Sequence, residues 1–330
     1  MYYEEPSRKK YARAPRRRDR RRRGFGAWLL SLLLRLIALV VLLAVLAAGL
    51  LYALPVSLFA VEPEGVELSL TDGLPASRAN ILLLGLDTTR ENSRRSDTVI
   101  VASVGYGKLK LTSILRDTLV DIPGHGSGKL NAAYAHGGPQ LVMRTLNENF
   151  SLNIMHYLAV DFTALVDLVD ALGGVELNVT EAEMNRINQN IWAARLQIEA
   201  HGYPSAPLSG FGEHTRLNGV QALYYARLRK LDSDFMRASR QRALLEAMLA
   251  RIRAYLWNPA LLVRLARTLA RSVDTNMSPI QLLCLGEKAL AATPEQLRLP
   301  VDGAYTDDGA NLVVTDPSQN IAAFQAFAYD

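Results

Sequence analysis

The longest apolar stretch runs without a charged residue from Leu36 to Leu54 (LIALVVLLAVLAAGLLYAL), nineteen residues that would be apolar on every face of a helix. At about 1.5 Å per residue it covers roughly 28 Å, close to the hydrocarbon thickness of a bilayer. A helix packed on a soluble domain keeps a polar side. The stretch is therefore expected to be a transmembrane anchor, which with its flanks occupies 25–59. A cleaved secretion signal is the competing assignment, but its apolar region would be shorter and no small-x-small cleavage site follows.

Beyond a spacer at 60–79 with scattered Pro and Gly, the rhythm becomes that of strands. Asn80–Leu86 (NILLLGL) is an apolar run, Thr98–Val104 (TVIVASV) is β-branched, and Lys108–Leu115 (KLKLTSIL) alternates. The Gly-Tyr-Gly turn at 105–107 predicts that the second and third pair as a hairpin. Helical and strand patterns then alternate. Helices are expected at 132–150, 163–171, 181–199, 218–226, 235–256, 259–271 and 278–292. Strands are expected at 156–162, 175–179, 296–300 and 311–315. This order predicts an α/β domain over 80–330, a mixed central β-sheet flanked by helices and preceded by one transmembrane helix.

Charge sharpens the picture at the N-terminus. Residues 1–23 carry eleven Lys/Arg against three acids, whereas the chain beyond the anchor is mildly acidic. Such a tail could bind nucleic acid, but placed just before an apolar span it predicts a cytoplasmic N-terminus in a lipid bilayer. No nucleic-acid partner is expected. Everything after Phe59 is then extracytoplasmic. Cys284 is the lone cysteine, lies in an apolar helical run, and is expected to be a buried thiol.

If the first three strands run up, down and up, Asp87 ends the first, Asp97 opens the second and Arg116 ends the third, all at one rim. Two carboxylates there suit a hard divalent cation such as Mg²⁺. Alternatively Asp87 caps a turn and Asp97 pairs with Arg95. A second cluster lies in LNGVQALYYARLRKLDSDFMRASRQ. Arg227 and Arg229, two apart in extended backbone, face one side. Arg237, Arg240 and Gln241 share a helix face. Guanidinium forks suit phosphate, but a solvated face paired with Asp232 and Asp234 also fits. GHGSGK at 124–129 is one residue short of a Walker loop and lacks its Ser/Thr. Trp192, Tyr224 and Tyr225 are expected to pack rather than to stack on sugar.

Five blocks in order then make a resemblance. GLDTTR…RSDT at 85–98, SILRDT at 113–118, KLNAAYAHGG at 129–138, VDFTALVDLVDALGGV at 160–175 and the arginine block at 217–241 resemble the LytR-CpsA-Psr family. That likeness implies an α-β-α fold and a phosphotransferase of the cell surface. It would move an anionic glycopolymer, such as teichoic acid or capsular polysaccharide, from a polyprenyl-pyrophosphate carrier to the 6-hydroxyl of N-acetylmuramic acid in peptidoglycan. It also implies that Asp87 and Asp97 hold Mg²⁺ (or Mn²⁺) and that Arg95, Arg116, Arg227 and Arg229 clamp the pyrophosphate. Arg237, Arg240, Gln241, Lys129 and Asn131 would line the same pocket, with the lipid tail in an apolar groove. Asp234 is a candidate proton acceptor and could equally orient Arg227 or Arg229. Leu115 stands where the family has Pro, and Asp-Thr-Thr-Arg replaces the commoner Asp-x-Arg, so Arg90 is left out of the set. Residues 246–330 are assigned to packing. A pyrophosphatase that hydrolyses the carrier, or a non-catalytic regulator of the cell envelope, are the alternatives.

Overall fold

The computed structural model describes Leu39, Leu46, Gly49, Leu50 and residues 67–87, 95–105, 107–228 and 234–330. The basic tail, Arg90, Arg229 and the Asp234 side chain lie outside the described residues, as does the expected anchor apart from the four residues just named. Among the described residues no helix is long and apolar enough to cross a membrane. By internal contacts the chain divides into Met1–Leu51 and Tyr52–Asp330, and the fold that follows is that of the second unit.

Its centre is a sheet begun by three strands where the apolar pattern predicted them: β1 (Ala79–Asp87), β2 (Arg95–Gly105) and β3 (Lys108–Ile114). They pair antiparallel in sequence order, β2 and β3 as the expected hairpin. Two short strands follow, β4 (Thr118–Ile122) and β5 (Gly126–Lys129). Further along come β6 (Ile154–Val160), β7 (Val175–Val179), β8 (Gly212–Leu217), β9 (Val273–Thr275), β10 (Pro294–Leu299), β11 (Tyr305–Asp307) and β12 (Leu312–Val314). The main sheet has the order β10-β3-β2-β1-β6-β9, with β1/β6 and β10/β3 parallel and the rest antiparallel. It is mixed, as expected. A four-stranded sheet runs β11-β12-β4-β5, and β7 pairs with β8.

The helices are α1 (Leu130–Phe150), α2 (Phe162–Ala171), α3 (Glu181–Ala193), α4 (Arg195–Ala200), α5 (Gly219–Ala226), α6 (Asp234–Ala254), α7 (Pro259–Ser272), α8 (Pro279–Ala291) and α9 (Pro317–Tyr329). Strand alternation explains the layering. Leu82, Leu84 and Leu86 of β1 and Val99 and Val101 of β2 point to one face, where Val142, Met143, Leu146 and Phe150 of α1 and Phe324 of α9 cover them. On the other face α6 and α8 lie against β3. A second core joins Val166 and Val169 of α2, Ile187 of α3, Val220 and Leu223 of α5 and Leu244 of α6.

Several expectations are corrected. The described part of the 60–79 spacer, from residue 67 on, is folded: Leu68 is fully buried in the core and Thr71 N–H donates to Leu152 O at 3.1 Å. Burying one leucine is worth about 2 kcal/mol, enough to hold a short segment down. GHGSGK, for which the sequence reading named no element, ends in the strand β5, antiparallel to β4. Helix α1 is broken at Gly137–Gly138, where Gly138 has φ 64°, a conformation that continues no helix, and Pro139 supplies no N–H to the turn before it. The predicted 181–199 helix divides at Ala194. The C-terminal helix α9, absent from the sequence reading, starts at an Asp316 cap whose carboxylate accepts from Gln319 N–H.

Candidate active site

The β1–β2 pair carries a register shift between Gly85 and Leu86: Gly85 opposes Thr98, Leu86 opposes Ser96, and Asp97 opposes nothing. Asp97 is thus the extra residue of a β-bulge, a device that bends a strand and re-aims a side chain. Gly85 belongs to it, because a Cβ there would meet the Thr98 Cβ at 2.8 Å. Asp87 ends β1 opposite Arg95, so both predicted metal carboxylates stand at one sheet end.

Two residues past the end of β3, Arg116 reaches the same end. Its Nη1 donates to Asp97 Oδ1 at 2.9 Å and its Nε to Asp117 Oδ2 at 3.1 Å. Asp117 in turn accepts from Lys129 Nζ at 3.0 Å. The backbone fixes this row, since Leu115 N–H donates to Leu299 O and Asn131 N–H to Arg116 O. The three side chains Asp97, Arg116 and Asp117 keep 17–18% of their surface exposed, so the row is open to a ligand. Asn131 is buried, and its Oδ1 has no hydrogen-bond partner among the described residues.

Arg227 arrives from the second core. Asn218 and Gln221 close a capping box on α5, and Gly219 N–H donates to Asp170 Oδ1 at 2.7 Å. Gly219 lets α5 approach α2: a Cβ would lie 2.3 Å from Val166 O. At the far end Arg227 is the C-cap, with φ −97° and ψ 2°, not the extended residue the sequence suggested. Its guanidinium lies 4.0 Å over the Phe162 ring, and Nη2 stands 3.9 Å from Asp87 Oδ2, a loose ion pair. Arg229, its expected companion, is outside the described residues.

Helix α6 closes over the end of β3. Ala238 packs on Leu115, and Arg242 Nη1 donates to Ser113 Oγ at 2.7 Å. Arg237 and Arg240 flank Ala238 and are buried, and Gln241 is half-buried. Arg240 Nε donates to Glu183 Oε1 at 2.7 Å, and Glu183 also completes the capping box of α3 with Thr180. Arg237, Arg240 and Arg242 therefore lie in the interior instead of on a solvated face. Arg95 is exposed. Tyr225 is buried, and burial pushes its phenol up, as it does the half-buried Tyr224. Trp192 is 73% exposed, contrary to the packing role expected for it.

Sequence reasoning missed Asp117, Glu183 and Phe162. Asp117 adjoins Arg116 and was readable from the SILRDT block. Glu183 lies 57 residues from Arg240, and nothing local signals the pair.

The charges decide what the rim can do. Asp87, Asp97 and Asp117 balance Arg116, Lys129 and Arg227, so these six groups alone give no excess positive charge. They are an oriented frame of donors. A diphosphate needs further cations, and carboxylates such as those of Asp87 and Asp97 are the ligand type that suits a hard divalent ion. Among the described residues no cluster of three or more His, Cys, Asp or Glu exists, so the remaining ligands would come from substrate and water.

The sequence pattern that defines the LytR_cpsA_psr family matches residues 62–326. Regulatory protein MsrR of Staphylococcus aureus (strain COL) is 35% identical over 176 residues, 52% of this chain and 48% of MsrR, so the chain spans about half the length of that relative. The polyisoprenyl-teichoic acid–peptidoglycan teichoic acid transferase TagU of Bacillus mycoides is 30% identical over 237 residues, 70% of this chain and 71% of TagU. TagT, solved bound to LIIa-WTA, superposes with a TM-score of 0.60 at 24% identity, covering 80% of this chain and 92% of TagT. TagT with bound octaprenyl pyrophosphate lipid gives 0.55 at the same identity, covering 76% and 89%. The fold is shared, the match runs through both halves of the site, and the chain belongs to the LytR-CpsA-Psr family.

Proposed function

We propose that this chain transfers a glycopolymer phosphate from a polyprenyl-pyrophosphate carrier to the 6-hydroxyl of N-acetylmuramic acid in peptidoglycan. One observation carries the reading: Arg116, bridging Asp97 and Asp117, and Arg227, beside Asp87, present their guanidinium groups at the same sheet end. The names of the TagU relatives and the lipid pyrophosphate held by TagT support it. Membrane attachment with the domain outside the cytoplasm follows from the tail and anchor expected in the sequence.

In the reaction the acceptor oxygen bonds to the phosphorus that carries the glycan. The bond from that phosphorus to the bridging oxygen breaks, and polyprenyl phosphate leaves with the electron pair. The acceptor proton passes to a base, for which Asp234, the first residue of α6, is the assignment. Phosphoryl transfer of this kind depends chiefly on alignment and on spreading the charge of the phosphate oxygens. Arg116 and Arg227 do both, with Arg95 and Arg229 as the further clamp residues. Lys129, Asn131, Arg237, Arg240 and Gln241 order the wall behind them. Mg²⁺ or Mn²⁺ held by Asp87 and Asp97, when bound, would add the positive charge that the balanced rim lacks.

The test is a full-chain preparation in detergent given a lipid-linked radiolabelled glycan, Mg²⁺ and a peptidoglycan oligomer. Label moving onto the oligomer with release of polyprenyl phosphate is the expected result. Free glycan phosphate without labelled oligomer would instead identify a hydrolase.

A further inference from the structure

Between Ala247 and Val273 the chain holds five arginines and no Asp or Glu, although the sequence beyond the expected anchor is acidic on balance. The stretch covers the end of α6 and all of α7. The inner face of α7 is accounted for: Leu261 and Leu265 pack on Leu168 of α2 and on Leu172 at its C-cap. The outer face is divided lengthwise. Arg264, Arg267 and Arg271, spaced i, i+3 and i+7, form one exposed stripe. Beside it Val263 is 49% exposed, and in the turn before α7 Leu256 is 50% and Trp257 76% exposed.

Trp257 is held in this position. Its indole N–H donates to Ala254 O at 3.0 Å, and its ring stacks on Tyr255 with centroids 6.1 Å apart. Arg251 holds Tyr255 from behind, its guanidinium 4.2 Å from that ring.

We propose that α7 and the Leu256–Trp257 turn dock on the surface of an anionic phospholipid bilayer. A solvated helix face would mix both signs of charge and would not expose three large apolar side chains beside its arginines. A soluble polyanion would be matched by the arginines but would leave those side chains in water. Basic residues bordering Trp257, Leu256 and Val263 are what the headgroup–acyl boundary accommodates, with arginines on phosphates and these apolar side chains a few ångströms deeper. The inference stands apart from the transferase reading: it concerns the far side of the second core and would hold for any chemistry at the rim.

The test uses the full chain in lipid nanodiscs, in a Trp28→Phe/Trp192→Phe background that leaves Trp257 as the single indole. With 30% phosphatidylglycerol and brominated acyl chains, Trp257 emission is expected to be blue-shifted and quenched. With phosphatidylcholine alone both effects are expected to be weak. Arg267→Gln/Arg271→Gln is expected to lose most of the quenching, since each basic group at an anionic surface is worth on the order of fivefold in partitioning. Both positions are exposed, and an unchanged thermal melt shows that the fold survives. Water-like emission without quenching in anionic discs, or quenching untouched by the double substitution, overturns the proposal. An emission shift caused only by soluble poly(glycerol phosphate) overturns it as well, in favour of a polyanion site.

Discussion

Arg116 stands between two carboxylates, with Nη1 2.9 Å from Asp97 Oδ1 and Nε 3.1 Å from Asp117 Oδ2. The planar fork is locked by two acids that approach different nitrogens. A lysine ammonium is a point charge on a flexible stem and reproduces neither the plane nor the reach. Arg116→Lys should therefore fold normally and lose about 100-fold in kcat, the scale seen when one preorganised donor is removed from a site of charge development. Steady-state transfer to a peptidoglycan oligomer measures it, and a drop of only a few-fold would remove Arg116 from the reaction.

Asp87→Asn and Asp97→Asn address the metal. Each is expected to weaken Mg²⁺-dependent binding of a polyprenyl pyrophosphate by at least about tenfold, the loss of one ligand charge from a divalent site. Chelation of the unaltered protein should reproduce the defect. Calorimetric titration with and without Mg²⁺ decides the matter, and binding that ignores both chelator and substitution would exclude the pair as ligands.

Gly219→Ala tests the approach of α5 to α2. The added methyl lies 2.3 Å from Val166 O, a backbone atom that cannot rotate away. A cost of about 1–3 kcal/mol is expected. Arg227 caps the same helix, so weaker substrate binding should accompany the lower Tm. A thermal melt no different from that of the unaltered protein contradicts the close contact.

Glu183 serves two structures at once. Glu183→Gln keeps the α3 capping box but removes the charge facing Arg240, while Glu183→Ala removes both. Taking one partner from a buried ion pair costs about 3–5 kcal/mol, and losing a cap adds about 1 kcal/mol. Urea unfolding should rank alanine below glutamine below the unaltered protein. Equal stability of the two variants would mean that the cap contributes nothing.

At high pH the β6–β9 edge should weaken. Burial, and then the charge of Asp274, push the Tyr157 phenol up to about 12, and its hydroxyl donates to Asp274 Oδ1 at 3.2 Å. A folded-state value above the unfolded one gives a contribution that is complete below about pH 10 and lost as pH rises through about 12. Tyr157→Phe should be about 1 kcal/mol less stable at neutral pH and lack this alkaline decline. Urea unfolding at pH 7 and pH 11 checks it. An identical decline in the variant would assign it to another group.

Much of the site could be read before any coordinates because strand parity is a strict rule. Once β1, β2 and β3 were recognised, Asp87, Asp97 and Arg116 had to share a rim. The bulge that aims Asp97 was invisible, since Ser96 and Asp97 look like ordinary strand residues and only the partner strand reveals the offset. Arg227 was found by its motif but placed in extended backbone, because the capping geometry of α5 depends on tertiary contacts through Gly219 and Asp170. GHGSGK resembled a phosphate loop because glycine-rich turns look alike from composition alone. Its glycines serve positive φ at Gly124 and Gly126 instead. Residues 246–330 were read as packing; their two expected strands and two expected helices are present, while the three-residue strands Val273–Thr275 and Tyr305–Asp307 are too short to show a period.

The parallel pairing of β10 with β3 ties the charged row to a distant part of the chain. Leu299 O receives Leu115 N–H directly beside Arg116, and Phe324 of α9 is fully buried in the sheet's core. The five motif blocks all lie before residue 242, yet the edge strand beneath their row of charges is β10, Pro294–Leu299. A chain cut back to residue 290 would keep every motif and lose the footing of the rim.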